Sequence, residues 1–268
     1  MIPWILKCKY CILIVVLSKI KKHPWNVSVE EAYRIQEDLK KHIVIRNAVK
    51  DPSIIGGVDV SYEIGSKRAC CVIAVLSYPL LRPLCHAYAI GEVTFPDIPG
   101  LFAFREGPLV EKALTKLPIM PDLFLFDGHG ICHPSGIGIA SHLGVYLDIS
   151  TIGCAKNHLF GTFEDPGQKR GSTSPVMIEG ALAGYVLRTK DDTKPVFISP
   201  GHKIGFHACL DICMSCSRRF RIPDPIRYAH ISSRLLLKQS VTERHTGPPE
   251  MQARTPSEQA RHRQKVIS

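Results

Sequence analysis

Three carboxylates in this 268-residue chain lie where apolar segments are interrupted or end. Asp59 stands alone inside the apolar run 54–62, Asp127 follows the apolar run 123–126, and Glu106 precedes a Gly-Pro pair at the mouth of a predicted helix. A carboxylate in an apolar strand is costly to bury unless it is paired or binds a metal. These three residues are therefore candidate ligands for a divalent cation.

Two further residues extend this chemistry. Lys156 follows another apolar run, and His230 lies in a predicted helix near the end of the chain. Hard Mg²⁺ prefers carboxylate oxygens and water, and such a metal offsets the charge that grows on a scissile phosphate. A lysine ammonium stabilises the same charge. Three carboxylates, a lysine and a histidine together indicate metal-dependent phosphodiester hydrolysis.

Each residue also has a simpler structural interpretation. Asp59 would lie on the solvent face of an amphipathic strand, Asp127 would cap a turn, and Glu106 would cap a helix or pair with the preceding arginine. Lys156 would be a solvated strand end, and His230 a structural helix residue. The catalytic interpretation requires the fold to bring all five together.

Hydrophobic periodicity predicts the elements that position these residues. A helix over 28–47 opens with Ser28 and Glu31 at capping-box spacing, and three strands joined by short turns follow it, most simply antiparallel. Helices and strands then alternate, which predicts an α/β fold with a mixed sheet flanked by helices on both faces. The predicted strands are 54–62, 69–77, 84–94, 123–127, 149–155, one or two within 176–188, and 196–199; the later helices are 107–117, 137–147, 205–216 and 224–237.

Composition places the chain among ordinary globular proteins, with 45% hydrophobic and 22% charged residues. Its net charge is +10, but residues 1–25 contribute +5 and residues 241–268 contribute +2, which leaves +3 for the remainder. The overall charge therefore says little about a partner of the central domain. We expect an N-terminal extension of uncertain structure over 1–27, a catalytic domain over 28–240 and a disordered basic tail over 241–268.

The ten cysteines lie mostly in apolar runs, as buried free thiols of a reducing compartment do, and this predicts a cytoplasmic protein. Cys209, Cys213 and Cys216 share one helix face and are expected in the core, because a zinc site would need a second paired motif. The short apolar run 10–17 lacks the length of a membrane span and is followed by lysines where a signal peptide would have small residues. No membrane partner is expected.

Several ordered motifs around the candidate residues resemble the endonuclease V family, the deoxyinosine-directed endonucleases. The similarity covers about residues 28–240, and the Phe-Arg-Glu and Asp-Gly-His-Gly segments are its specific parts. The matching stretches are Gly57-Val58-Asp59-Val60-Ser61-Tyr62, Ile98-Pro99-Gly100-Leu101-Phe102-Ala103-Phe104-Arg105-Glu106-Gly107-Pro108, Asp127-Gly128-His129-Gly130 with His133-Pro134, Gly153-Cys154-Ala155-Lys156, Ser199-Pro200-Gly201-His202, and Arg221-Ile222-Pro223-Asp224-Pro225 leading to His230.

The resemblance implies an RNase H-like fold and a monomeric DNA-repair enzyme that acts on deoxyinosine-containing DNA. It further implies hydrolysis of the second phosphodiester bond 3′ to the lesion, with Mg²⁺ as cofactor and Mn²⁺ as a substitute, leaving 3′-hydroxyl and 5′-phosphate ends. By position, Asp59, Asp127 and Glu106 would hold the metal, Lys156 would contact the phosphate, and His230 would complete the catalytic set.

The resemblance also implies a lesion-binding set, which departs from the family at one position. The family carries tyrosine in a Pro-Tyr-Ile-Pro wedge that fills the space left by the displaced base. Here Asp97 stands in its place, and Ile98 is the remaining apolar wedge candidate. The alternatives are an endoribonuclease acting on inosine-containing RNA and a nucleic-acid-binding protein without catalysis. The implied lesion-binding residues are Asp97, Ile98, Pro99, Gly128, His129, Gly130 and His133.

Overall fold

A computed structural model describes residues 22–245 of the chain. It contains an eight-stranded sheet and five described helices, which we number in chain order. The strands are β1 (Ile54–Tyr62), β2 (Arg68–Ser77), β3 (Pro83–Glu92), β4 (Leu123–Phe126), β5 (Thr151–Ala155), β6 (Thr173–Ile178), β7 (Ala181–Leu187) and β8 (Val196–His202). The helices are α1 (Val29–Lys40), α2 (Phe102–Leu114), α3 (Ile139–Leu147), α4 (Phe206–Cys216) and α5 (Asp224–His245).

The sheet is mixed, and β1 lies near its middle in the order β3-β2-β1-β4-β5-β8-β7-β6. The first three strands form an antiparallel meander, whereas β4 and β5 run parallel to β1. Strands β8, β7 and β6 complete the sheet with antiparallel pairs. The predicted mixed sheet with an antiparallel start is confirmed.

Helices cover both faces of the sheet, so alternate residues of the central strands are buried on opposite sides. Val58 and Phe124 belong to the core beneath α2 and α3. Ile55 and Leu125 belong to the core beneath α4 and α5, which also contains the predicted cysteine stripe. This two-sided burial explains why the central strands are almost continuously apolar.

The main differences from the sequence prediction lie at element ends. Helix α1 ends at Lys40 rather than 47, because the following segment pairs with the end of β8, where the Lys203 amide donates to the Val44 carbonyl at 2.7 Å. Helix α2 begins at Phe102, five residues earlier than predicted. Glu106 is therefore inside this helix and not at its mouth, and Pro108 does not mark the start of the helix.

The described part of the predicted extension, residues 22–27, packs on the domain. The Trp25 indole donates to Glu111 in α2 at 2.9 Å, and the His23 and His142 rings meet with their Nε2 atoms 2.8 Å apart. The apolar run 10–17 and the tail beyond residue 245 lie outside the described residues. All eight cysteines within the described range are free thiols. No described helix is long and apolar enough to cross a membrane.

Candidate active site

The carboxyl-terminal half of β1 distributes its side chains between two helices. Asp59 and Ser61 point to the face covered by α5, while Tyr62 points to the face covered by α2. Helix α5 approaches closely because Gly57 has no side chain; a Cβ there would lie 2.0 Å from the Pro225 carbonyl carbon. The strand thereby brings residues from both helix layers to one end of the sheet.

Asp59 is 5% exposed, which excludes the solvent-face interpretation of this residue. Its carboxylate lies 3.2 and 3.3 Å from Nδ1 of His230 and accepts a hydrogen bond from the Ser233 hydroxyl at 2.9 Å. The Ser61 hydroxyl contacts that of Ser233 at 2.7 Å. Three residues that are polar and hydrogen-bonded therefore fix this buried carboxylate.

Asp127 follows β4 directly, as predicted, and its carboxylate forms an ion pair with the Lys156 ammonium at the end of β5. Burial raises the pKa of Asp127; Lys156 opposes this effect, whereas the nearby Asp59 carboxylate adds to it. The Arg221 guanidinium donates to the Lys156 carbonyl and to the Pro195 carbonyl, the latter at 2.8 Å, and so anchors the chain that carries the lysine.

Glu106 reaches the site from α2. The Tyr62 hydroxyl donates to its Oε1 atom at 2.7 Å, and the Arg105 guanidinium lies 5.0 Å from the centre of the Tyr62 ring. Burial raises the pKa of Glu106 to about 8, and the Asp59 and Asp127 carboxylates act in the same direction, while the Tyr62 hydrogen bond opposes them. Three acids thus share a region with little water.

These residues line a cavity of about 430 Å³ that is partly apolar. Phe102 and Leu159 are 43% and 40% exposed, so they present apolar surface to an occupant. Burial lowers the pKa of both His129 and His133 to about 4, which leaves neutral imidazoles that hydrogen-bond or stack rather than attract phosphate. The lining includes Asp59, Tyr62, Gly100, Phe102, Glu106, Asp127, Gly128, His129, His133, Lys156, His158 and Leu159.

The donor set fits a divalent cation. One ligand atom each from Asp59, Asp127 and His230 lies within 4.8 Å of the others. Two close carboxylates repel each other, and a cation between them would relieve that repulsion. Glu106 falls outside this three-residue group and is held instead by Tyr62. A hard divalent metal with oxygen and imidazole ligands matches the chemistry of these donors.

Comparison with known proteins connects this geometry to a family. The family model for endonuclease V matches residues 37–231. Endonuclease V of Dictyoglomus turgidum is 43% identical over 212 residues, covering 79% of this chain and 92% of that protein. This chain belongs to the endonuclease V family. A nuclease of the hydrolase class is therefore what its site serves.

Two solved endonuclease V structures superpose on the chain. That from Streptomyces avermitilis is 37% identical, with a TM-score of 0.77 over 81% of this chain and 96% of its own. That from Ciona intestinalis, solved with a 24mer DNA containing an inosine followed by a ribo-adenosine, is 28% identical, with a TM-score of 0.70 over 79% of this chain and 98% of its own. The RNase H-like fold of this family agrees with the sheet described above.

The structure brings together the five residues expected to carry the endonuclease V chemistry, but it separates part of the expected lesion-binding set. Gly128, His129 and His133 line the cavity. Gly130 is buried behind it, where a Cβ would lie 2.1 Å from the Pro200 carbonyl oxygen. The segment formed by Asp97, Ile98 and Pro99 does not line the cavity: its first and last residues are exposed, and Ile98 packs towards Leu101 and Phe104.

Sequence reasoning missed several residues that complete this site. Ser233 carries no motif of its own, but its position one turn after His230 places it on the same side of α5. Gln36 is 1% exposed and donates to the Gly100 carbonyl at 2.8 Å, which ties α1 to the loop beside the cavity. A polar residue on the apolar face of α1 was the available signal for Gln36. No comparable signal marks Tyr62 or Phe102.

Proposed function

We propose that this protein is a DNA-repair endonuclease that hydrolyses the second phosphodiester bond 3′ to deoxyinosine. The observation that carries the proposal is the meeting of Asp59, Asp127 and His230 within 4.8 Å, with Lys156 paired to Asp127, in a chain of the endonuclease V family. The Ciona relative was solved with inosine-containing DNA, which supports the substrate class.

We assign the metal to Asp59, Asp127 and His230, with Glu106 as the third acid beside it. Mg²⁺ is the expected ion and Mn²⁺ its substitute; the bound cation supplies Lewis-acid stabilisation of the charge that grows on the scissile phosphate. Asp59 is already oriented for this task, because His230 and Ser233 hold its carboxylate.

The chain's own residues supply the remaining steps. The Lys156 ammonium donates to a phosphate oxygen and neutralises charge there. Water adds to phosphorus, the bond to the 3′ oxygen breaks, and that oxygen takes up a proton, which yields 3′-hydroxyl and 5′-phosphate ends. His133, with Phe102 and Leu159, forms the less polar part of the cavity, which suits a displaced base.

The protein is expected to act as a monomer in the cytoplasm. Its eight described cysteines are free, and most are buried, as in proteins of reducing compartments. The described helices include no candidate membrane span.

One observation favours inosine-containing RNA as an alternative substrate. Asp97 replaces the family's wedge tyrosine and is exposed, so this segment offers no ring to fill the gap in a duplex. A single strand leaves a smaller stacking loss to compensate. The Asp97→Tyr variant should therefore improve cleavage of duplex DNA while leaving single strands unchanged; equal rates on both would contradict this role for Asp97.

The test of the main proposal is cleavage of end-labelled oligonucleotides with one inosine, as DNA and RNA, single-stranded and duplex, with Mg²⁺ or EDTA. We expect a Mg²⁺-dependent cut at the second bond 3′ to inosine, and its loss in Asp59→Ala and Asp127→Ala. Asp211→Asn, an exposed carboxylate on α4, is the matched control. Binding without cleavage by folded wild-type protein would overturn the enzyme assignment in favour of a binding protein.

A further inference from the structure

Helix α5 has two distinct flanks along its outer surface. Tyr228 and Ser232 lie on the flank that faces the sheet edge, where they line a groove of about 210 Å³ with residues of β2 and β3. His230 lies on the opposite flank, where it contacts Asp59. At about 100° per residue, Arg227 and Arg234 fall on this site-facing side, about one turn before and one turn after His230.

Both arginines are available to an external partner. Arg234 is exposed and Arg227 half-buried, and among the described side chains no carboxylate forms an ion pair with either guanidinium. The helix has no acidic residue from 225 to 240. The nearest acid is Asp224, and the charges of Arg218, Arg219 and Arg227 all act on it, so positive charge predominates there.

Arg227 is also held in place before any partner arrives. Its guanidinium lies over the Phe220 ring, 3.6 Å from the ring centre. Such stacking restricts a long side chain and leaves its N–H groups at the edges of the plane free to donate. A planar guanidinium fixed in this way favours a phosphate over a protein carboxylate on a mobile side chain only when phosphates recur nearby, which the site itself ensures.

We propose that the site-facing flank of α5, formed by Arg227 and Arg234, binds backbone phosphates of the substrate strand outside the scissile bond. This inference rests on the proposed nuclease function. A strand whose scissile phosphate reaches Lys156 passes His230, because both side chains converge on the paired carboxylates. Seven residues of helix separate the two arginines by about 10 Å, close to three nucleotide steps at ~3.4 Å.

The test is binding of a fluorescein-labelled inosine oligonucleotide of 30 residues in EDTA, which prevents metal-dependent cleavage, across a range of NaCl concentrations. The protein variants are Arg227→Gln, Arg234→Gln and their double variant. Arg82→Gln is the matched control, because this exposed arginine lies in the β2–β3 turn at the other end of the sheet.

For two lost phosphate contacts, the slope of log K against log salt should fall by about 1.4 on a single strand or about 1.8 on a duplex. The loss should be equal on inosine- and adenine-containing strands, because phosphates carry no base information. Substrates shortened from the 5′ end or from the 3′ end should remove the effect in one series only. Arg82→Gln should retain the wild-type slope.

Unchanged slopes in the double variant would overturn the proposal, as would a fall equal to that of Arg82→Gln. A slower cleavage rate at saturating substrate with an unchanged slope would also overturn it, because the arginines would then act on the site alone. Cleavage by the wild-type protein is scored separately. Cleavage with unchanged slopes rejects this surface only, whereas altered slopes without wild-type cleavage reject the nuclease function only.

Discussion

The contact between Gly107 and Trp25 offers a sharp test of how α2, the helix that carries Glu106, is held in place. A Cβ at Gly107 would lie 2.4 and 2.5 Å from two carbons of the Trp25 ring. Ordinary carbon contacts begin near ~3.5 Å, so ring and helix must separate by about 1 Å. The ring cannot move freely, because its N–H is bonded to Glu111 and Tyr146 packs against it.

We therefore expect Gly107→Ala to lower the free energy of unfolding by about 1–3 kcal/mol, the usual range for overpacking. Two backbone effects accompany the change. Alanine favours a helix interior over glycine by about 1 kcal/mol, whereas a Cβ before Pro108 disfavours helical geometry. Both effects are the same whether or not the tryptophan is present, so a double-mutant cycle with Trp25→Ala cancels them.

The assay is urea unfolding of the wild type, both single variants and the double variant, followed by circular dichroism. In the Trp25→Ala background, Gly107→Ala should be nearly neutral, which gives a coupling free energy of about 1–3 kcal/mol. Equal destabilisation in both backgrounds would refute the packing argument and assign the role of the glycine to Pro108. Cleavage activity should fall with Gly107→Ala, because Glu106 lies one residue away.

Three further predictions concern buried polar groups. Ser233→Ala should slow single-turnover cleavage by about ten- to a hundredfold, the equivalent of one hydrogen bond to a charged group, and Ser233→Thr should restore it; full activity in the alanine variant would contradict a positioning role. Gln36→Leu leaves the Gly100 carbonyl without its donor and should lower the free energy of unfolding in urea by about 1–3 kcal/mol, while the exposed Glu37→Leu should change it little. Burial holds the pKa of His142 well below 6.5, so the unfolded chain takes up a proton that the folded chain refuses as pH falls below about 6.5. Stability should therefore be full above that pH and decline below it, and His142→Gln should reduce the decline by up to about 1.4 kcal/mol per pH unit in urea titrations; an unchanged slope would contradict the burial argument.

The sequence was most informative where a polar residue interrupts an apolar run. Asp59 and Asp127 were identifiable because a strand buried on both faces tolerates a carboxylate only at a site, and both are placed there by the fold. The order of strands followed from short antiparallel connections and then longer ones that contain helices. These signals are local, and they survive without knowledge of tertiary contacts.

The start of α2 and the partners of Asp59 were not predictable in the same way. A Gly-Pro pair indicates a helix start, yet here Pro108 is the seventh residue of the helix. The cost of its missing N–H is borne because Phe104 and Leu109 are buried on either side. Ser233 lies 174 residues from Asp59, and only the packing of α5 on β1 brings them together.

The alternation of β1 explains why so few residues are enough to assemble this site. Successive side chains of a strand point to opposite faces, so Asp59 meets α5 while Tyr62 meets Glu106 of α2. The two helices do not need to touch each other to act on one substrate, since each is referenced to the same strand. A shift of one residue in the register of β1 would exchange the two faces and separate all three acids. The nine paired residues between β1 and β2 therefore protect the chemistry as well as the fold.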